Sequence, residues 1–414
     1  MSILASDMRE AALLAYRRGD DDAGALLRAA LASDPLDGGL LIAEATAALE
    51  AGQGDALARL SQVLEQAPEW RAGHLALARL QWERGDRARF AASIEGALRR
   101  LPRHAGLWMC YMDLLAEAGL SLAAADTAAQ LRRQGDVPAL RLIEARHAGA
   151  GGDLDRAESL LADLPADLPG AAIARARQRL RRGDPAAAER LLAAERRAAS
   201  ADTVVWALSE LAWRALGDPR HHDLIATDTD IAALEIEASD EDWTTLAEVL
   251  RAVHRRRWMP MGQSIRGGSQ TRGSLTDRPE PVLAAVLAQV EAAGRMLSQR
   301  VRARGQSPVP PPSARIGIVA SWSVRLSAGG HHVAHIHPGG TFSSALHIVV
   351  PDAPPGEGAL ELGRPPAEFE ALGLGPLCLF PAAARRLFLF PSWLYHGTRP
   401  FGAGERMTMA FDLA

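Results

Sequence analysis

Seven glycines recur at nearly equal steps along the first half of this 414-residue chain: Gly19, Gly52, Gly85, Gly119, Gly152, Gly183 and Gly217, separated by 33, 33, 34, 33, 31 and 34 residues. A fixed period of that size means one small unit copied along the chain. A unit so short cannot bury its own apolar face, so the copies must stack. Alanine stands seven residues before most of these glycines (Ala12, Ala45, Ala78, Ala145, Ala176), and a small residue stands five after several of them (Gly24, Ala124, Ala157, Ala188). Met112, Leu57 and Phe90 break this pattern. Prolines close the units at Pro35, Pro68, Pro102, Pro138 and Pro169, where a missing N–H and a fixed φ stop a helix. Between the anchors the text reads as pairs of short amphipathic helices, for example 73–84 followed by 87–101 around Gly85-Asp86, with small residues letting the two approach closely.

Composition narrows the function. Hydrophobic residues make up 48% and the 46 basic side chains are balanced by 50 acidic ones, which excludes disorder and a polycationic nucleic-acid binder. Two cysteines, Cys110 and Cys378, are too few for a disulfide framework or a cysteine-based zinc site, so a reducing interior is expected. The first twenty residues lack the basic start and apolar run of a signal peptide, and no stretch has the length of a membrane span. The expectation is a soluble, cytoplasmic protein with neither nucleic acid nor membrane as partner.

After Gly217 the period is lost. Residues 222–300 read as irregular segments plus two helices, 241–255 and 281–302. Between these lies the polar, glycine-containing stretch 263–271, expected to be a loop. A proline-rich connector spans 302–313. Beyond it the periodicity becomes two, with short strands at 315–326, 332–337, 345–350, 359–362, 377–380, 387–390 and 406–412, spaced by Gly and Pro turns. That pattern suggests a sandwich or jelly roll enclosing a pocket.

Six of the twelve histidines fall after residue 330. A lone histidine is more often packed or solvated than a ligand, but His335 and His337 stand two apart, the spacing that puts two side chains on one face of a strand. A third ligand must come from elsewhere, and His396 follows an apolar strand that would deliver it to the pocket rim. Ten residues later come Arg406 and Thr408, again two apart. A buried guanidinium needs an anion, and its fork suits a carboxylate. A metal with open positions beside an arginine for a dicarboxylate implies a 2-oxoglutarate site.

These residues carry two resemblances. Residues 1–220 resemble the tetratricopeptide repeat, a helical stack whose concave face suits an extended peptide or partner protein. The stretch from about 261 to 414, with QSIRGGSQT, SWSVRL, HVAHIHPGG, FPSWLYHGTRPF and ERMTMAFD, resembles the 2-oxoglutarate/Fe(II) oxygenases that sit behind such repeats in bacterial proteins. The implied fold is an α+β multidomain chain. An α-helical solenoid over 1–220 is followed by a double-stranded β-helix domain over 221–414 with a helical lead-in at 221–310. The oxygenase resemblance implies Fe(II) held by His335, His337 and His396 as catalytic metal ligands, and 2-oxoglutarate clamped by Arg406 and Thr408. It further implies His347 touching the cosubstrate, with Trp322, Arg325, Gln263, Arg266 and Thr271 as pocket walls.

One departure matters. The superfamily usually places a carboxylate two residues after the first histidine; here that place is His337. Three readings stay open: an active three-histidine iron, a site in which Asp352, Glu357 or Glu361 supplies oxygen, or a site that binds metal without turnover. The implied activity is hydroxylation of a peptide or protein recruited by the repeat groove. The alternatives are a repeat scaffold with a sensing β domain, and a small-molecule oxygenase whose repeats recruit a partner or form a homodimer.

Overall fold

The glycine period has a backbone cause. All seven period glycines hold positive φ, between 62° and 92°, the left-handed conformation that ends a helix at little cost where no Cβ is present. The computed structural model describes residues 3–199, 201–254 and 259–414. Its helices pair as Ile3–Arg18 with Ala23–Ser33, Gly38–Glu50 with Ala58–Gln66, Arg71–Glu83 with Ala92–Arg100, Ala105–Glu117 with Ser121–Arg132, Pro138–Ala150 with Leu154–Ala162 and Ala171–Arg181 with Pro185–Ala198, followed by Thr203–Leu216. Asp37, Asp153, Asp184 and Asp202 cap helix starts by accepting a backbone N–H. The five recurrent alanines are at most 2% exposed. Leu57 and Phe90 are buried too, and where these larger side chains replace a small residue the second helix starts late, at Ala58 and Ala92.

Packing divides the chain into two compact units. One takes residues up to Leu120 with Val249–Gln263 and Ser269–Pro279. Its core gathers Leu27, Leu31, Leu40, Leu60 and Leu77. The 269–279 piece is tied to the first helices by Arg17–Asp277 at 3.0 Å and by Arg272, which pairs with Glu50 and lies 4.0 Å from the Tyr16 ring centroid.

The other unit takes Ser121–Glu248, Ser264–Gly268 and Glu280–Ala414. The last long repeat helix ends at Leu216 and the first strand begins at Ala232, with two short helices, Arg220–Leu224 and Thr227–Asp230, between them; the division into compact units falls instead at 120/121, so the repeat helices after 121 pack with the β domain. Its strands are β1 (Ala232–Glu235), β2 (Ile265–Gln270), β3 (Ile318–His332), β4 (Phe342–Val349), β5 (Leu360–Leu362), β6 (Cys378–Phe380), β7 (Arg386–Pro391), β8 (His396–Thr398) and β9 (Arg406–Leu413). The large sheet has the order β1-β7-β4-β9-β3-β2 and the small one β6-β5-β8. Leu360 and Leu362 of the small sheet pack with Phe388 and Phe390 of the large one, the arrangement of a double-stranded β-helix. Helices Asp240–Val253 and Pro281–Arg304 cover the outer face of the large sheet: Trp243 Nε1 donates to the Ile348 carbonyl at 3.1 Å, and a Cβ on Gly294 would stand 2.4 Å from Leu413.

Two expectations are corrected. The polar stretch 263–271 is largely strand β2 and not a loop. The expected strand 332–337 does not form, because its backbone bonds go elsewhere. The Val333 N–H donates to Ser264 O at 2.9 Å and the His337 N–H to Ser392 O at 3.1 Å, while His335 makes only an isolated bridge to His396.

The repeat and the β domain share two cores. One joins Ala176, Leu180, Leu208 and Leu211 to Phe369 and Tyr395; the other joins Trp206 and Trp213 to Leu360, Phe388, Phe390 and Trp393. A polar clasp adds to them, with Arg177 and Arg181 meeting the two oxygens of Glu368 at 2.7 and 2.6 Å. Burial opposes the Glu368 charge, yet the two guanidinium groups hold its carboxyl below the usual carboxylate range. Glu368→Gln should cost about 3 kcal/mol, chiefly by leaving the buried Arg181 guanidinium without its charge partner, read as a fall in the denaturant midpoint at pH 7.

Candidate active site

Strand register assembles the site. Arg406, Thr408, Ala410 and Asp412 alternate along β9 and share one face. Opposite them on β3 stand Leu326, Val324, Trp322 and Ala320; on β4, His347 is opposite Thr408 and Ser343 opposite Asp412. Phe388 and Phe390 of β7 extend the same face through Ala345 and Ser343. One apolar-walled surface thus carries an arginine, a carboxylate, a histidine and two hydroxyls.

Over it converge His335, His337 and His396, whose nearest ring nitrogens all lie within 4.8 Å of one another. Ring centroids are 5.0 Å apart for His335–His337, 4.3 Å for His335–His396 and 4.9 Å for His337–His396. Each Nδ1 is engaged away from the centre: His335 with Val333 O at 2.9 Å, His396 with Leu394 O at 3.0 Å and His337 with Asp412 Oδ1 at 2.6 Å. Carbonyls and ionised carboxylates only accept, so Nδ1 donates in every case, which makes Nε2 the atom each ring can offer a metal. Burial, reinforced by the neighbouring rings, holds His396 well below the usual imidazole range, and burial with His337 brings His335 down to about 4. Both stay neutral near pH 7. Gly397, directly after His396, makes room for this approach, since a Cβ there would stand 2.8 Å from His332 O and 3.2 Å from Ala334 N.

Arg406 is 1% exposed, and burial pulls its guanidinium down to about 10. Its Nη2 donates to His347 Nε2 at 3.1 Å, while its Nε has no partner. No carboxylate pairs with it among the described residues. A buried cation in that condition calls for an anion from outside the chain. His347 is likewise held low, by burial and then by Arg406. Thr408 is buried beside them and Trp322 lies 5.6 Å from the His337 ring.

Other expected residues are placed differently. Arg325 stands opposite Met407 on the other face of β3, its side chain 42% exposed and paired with Glu405. Arg266 is exposed and donates to its own residue's neighbour, Ile265 O. Gln263 and Thr271 belong to the other compact unit. Two of the three carboxylates considered as oxygen ligands have other partners, Glu361 being held by Arg364 and Arg399 and Glu357 accepting the Gly402 N–H, and neither these nor Asp352 joins the histidine cluster. Sequence reading missed Ser264, whose hydroxyl lies 3.1 Å from His332 Nδ1 and 3.3 Å from His335 Nε2. It also missed His332, which stacks on His335 at 5.9 Å and 17°, and Asp412. Only Asp412 had a signal, the same period-two parity as Arg406 and Thr408.

Three convergent imidazoles, each with its Nδ1 engaged away from the centre, suit a divalent iron, and a buried arginine without a carboxylate partner among the described residues, on the same inner face, suits a dicarboxylate. Residues 320–412 match the model of the family described as "Putative 2OG-Fe(II) oxygenase". This stretch is a 2OG-Fe(II) oxygenase domain. Fe(II) and 2-oxoglutarate, the groups that family takes, are the two that the histidines and Arg406 of this domain fit. Solved structures similar to it include viral collagen prolyl hydroxylase from Paramecium Bursaria Chlorella virus-1 in a 2OG complex, at 10% identity, 44% of this chain, 95% of that one and a TM-score of 0.31. A Pseudomonas putida prolyl-4-hydroxylase matches at 16% identity, 44% of this chain, 92% of that one and a TM-score of 0.29. A tetratricopeptide repeat protein from Parabacteroides merdae matches at 18% identity, 53% of this chain, 89% of that one and a TM-score of 0.36. No curated protein matches the oxygenase. No described helix is long and apolar enough to cross a membrane.

Arg406→Ala should spare metal binding and raise the 2-oxoglutarate requirement by roughly 10- to 150-fold, the loss of a charge-assisted contact of about 1.5–3 kcal/mol. Titration of the metal-loaded oxygenase with 2-oxoglutarate checks it; an unchanged midpoint would remove Arg406 from the clamp.

Proposed function

We propose that the chain hydroxylates a residue of a peptide or protein held by its helical repeats, in the cytoplasm. The observation supporting this is the shared core: helices after 121 and the β domain form one compact unit, so a chain docked on those helices is held by the body that holds the histidines. When bound, Fe(II) would couple molecular oxygen to 2-oxoglutarate for C–H hydroxylation, one oxygen atom of O2 entering the product hydroxyl and the other the succinate formed as carbon dioxide leaves. The protein's own part is positional. His335, His337 and His396 hold the metal through Nε2. Arg406 neutralises the far carboxylate of the cosubstrate, with Thr408 offering a hydroxyl and His347 orienting the guanidinium. Trp322, Phe388 and Phe390 keep water from the reacting centre.

The test is to incubate the full-length, iron-loaded protein with a cellular peptide pool and 2-oxoglutarate. A peptide heavier by one oxygen, formed with succinate, is expected. Succinate without any peptide product would overturn the peptide reading; neither product would overturn the catalytic one.

A further inference from the structure

The three imidazoles are not equivalent. His335 and His396 donate their outer N–H to a neutral backbone carbonyl two residues earlier, whereas His337 donates to the Asp412 carboxylate at 2.6 Å. That carboxylate is itself fixed. Its Oδ1 also accepts from Ser343 Oγ at 3.0 Å, and Ser343 Oγ lies 2.9 Å from Ser392 Oγ. Both serines are at most 1% exposed. Ser392 returns to the same ligand, because its carbonyl accepts the His337 N–H at 3.1 Å. Strand pairing makes the arrangement rigid, with Ser343 opposite Asp412 between β4 and β9. Residue 337 also occupies the place where the superfamily usually carries a ligating carboxylate.

We infer that Asp412 is a positioning residue which, through His337, gives the metal site the negative charge that a directly ligating carboxylate would otherwise supply. A carboxylate accepting from Nδ1 pushes electron density into the ring and raises the donor strength of Nε2, and such outer partners govern metal affinity by about 10- to 100-fold. One of three otherwise neutral ligands thereby acquires anionic character, which favours the ferric over the ferrous state and lowers the potential of the couple. The Ser392–Ser343 pair holds Asp412 in line, so the charge stays directed at His337. This inference rests on the three histidines binding iron.

Asp412→Asn tests it, because the amide oxygen still accepts from Nδ1 and only the charge is removed. Ferrous affinity should fall about 10- to 100-fold and the midpoint potential of the bound iron should rise, both read at a temperature where circular dichroism shows the metal-free variant folded. Ser343→Ala should give a smaller change of the same sign in both readouts. Unchanged affinity and potential in Asp412→Asn, with wild-type protein binding iron, would overturn the role of Asp412 alone. Wild-type protein that bound no iron would instead overturn the metal site itself.

Discussion

Replacing His396 with alanine should lower ferrous affinity by more than about 100-fold, beyond the range found for outer-sphere partners of a metal ligand, and abolish 2-oxoglutarate turnover at stoichiometric iron. Of the three imidazoles it is the most deeply buried. It packs 4.7 Å from Phe390 and has its Nδ1 fixed by the carbonyl of Leu394. The ring is also the meeting point of the site, since its backbone bridges to His335 in both directions at 3.0 Å. Anaerobic calorimetry of the variant against the parent provides the measurement. Parental affinity in the variant would mean that the three rings do not form a common site.

Deleting residues 1–215 should give a chain that does not fold. The expectation from sequence alone is a solenoid ending near 220 and a β domain beyond it, but Trp206, Leu208, Leu211 and Trp213 are each at most 3% exposed within cores completed by the β domain. Each such side chain contributes about 1.5–3 kcal/mol when buried, and four together rival the whole stability of a typical domain, about 5–15 kcal/mol. The cut would also strand Glu368 by removing Arg177 and Arg181. Soluble yield and near-ultraviolet circular dichroism report the outcome; a soluble, cooperatively melting fragment would show that the β domain carries its own core.

What the sequence made legible was local. A glycine needing positive φ, a helix stopped by proline and an alanine at a helix contact each act within a few residues, so the repeat could be read from spacing. The histidines and the Arg406–Thr408 pair were legible because chemistry of that kind is rare enough to stand out. Facing was harder. Trp322 and Arg325 stand three apart, and a strand puts residues at odd separation on opposite faces, which is why one meets the His337 ring and the other pairs with Glu405. Ser264 lies 71 residues from His335 in sequence, and its role depends on the backbone bond that brings Val333 to it. The shared cores depend likewise on contacts between segments more than 140 residues apart, as in the Arg214 N–H bonds to Gly363 and Gly375 carbonyls. No periodicity encodes such contacts.

Gly397 offers a way to silence the centre without altering a single ligand. A methyl group at that position would press on the carbonyl of His332 and the amide of Ala334, prising the incoming segment from β8 and spreading the rings. An alanine allele would therefore keep the parent's net charge, surface and complete donor set while losing its grip on iron. In living cells it would serve as a comparator that separates the consequences of oxidation from those of scaffolding.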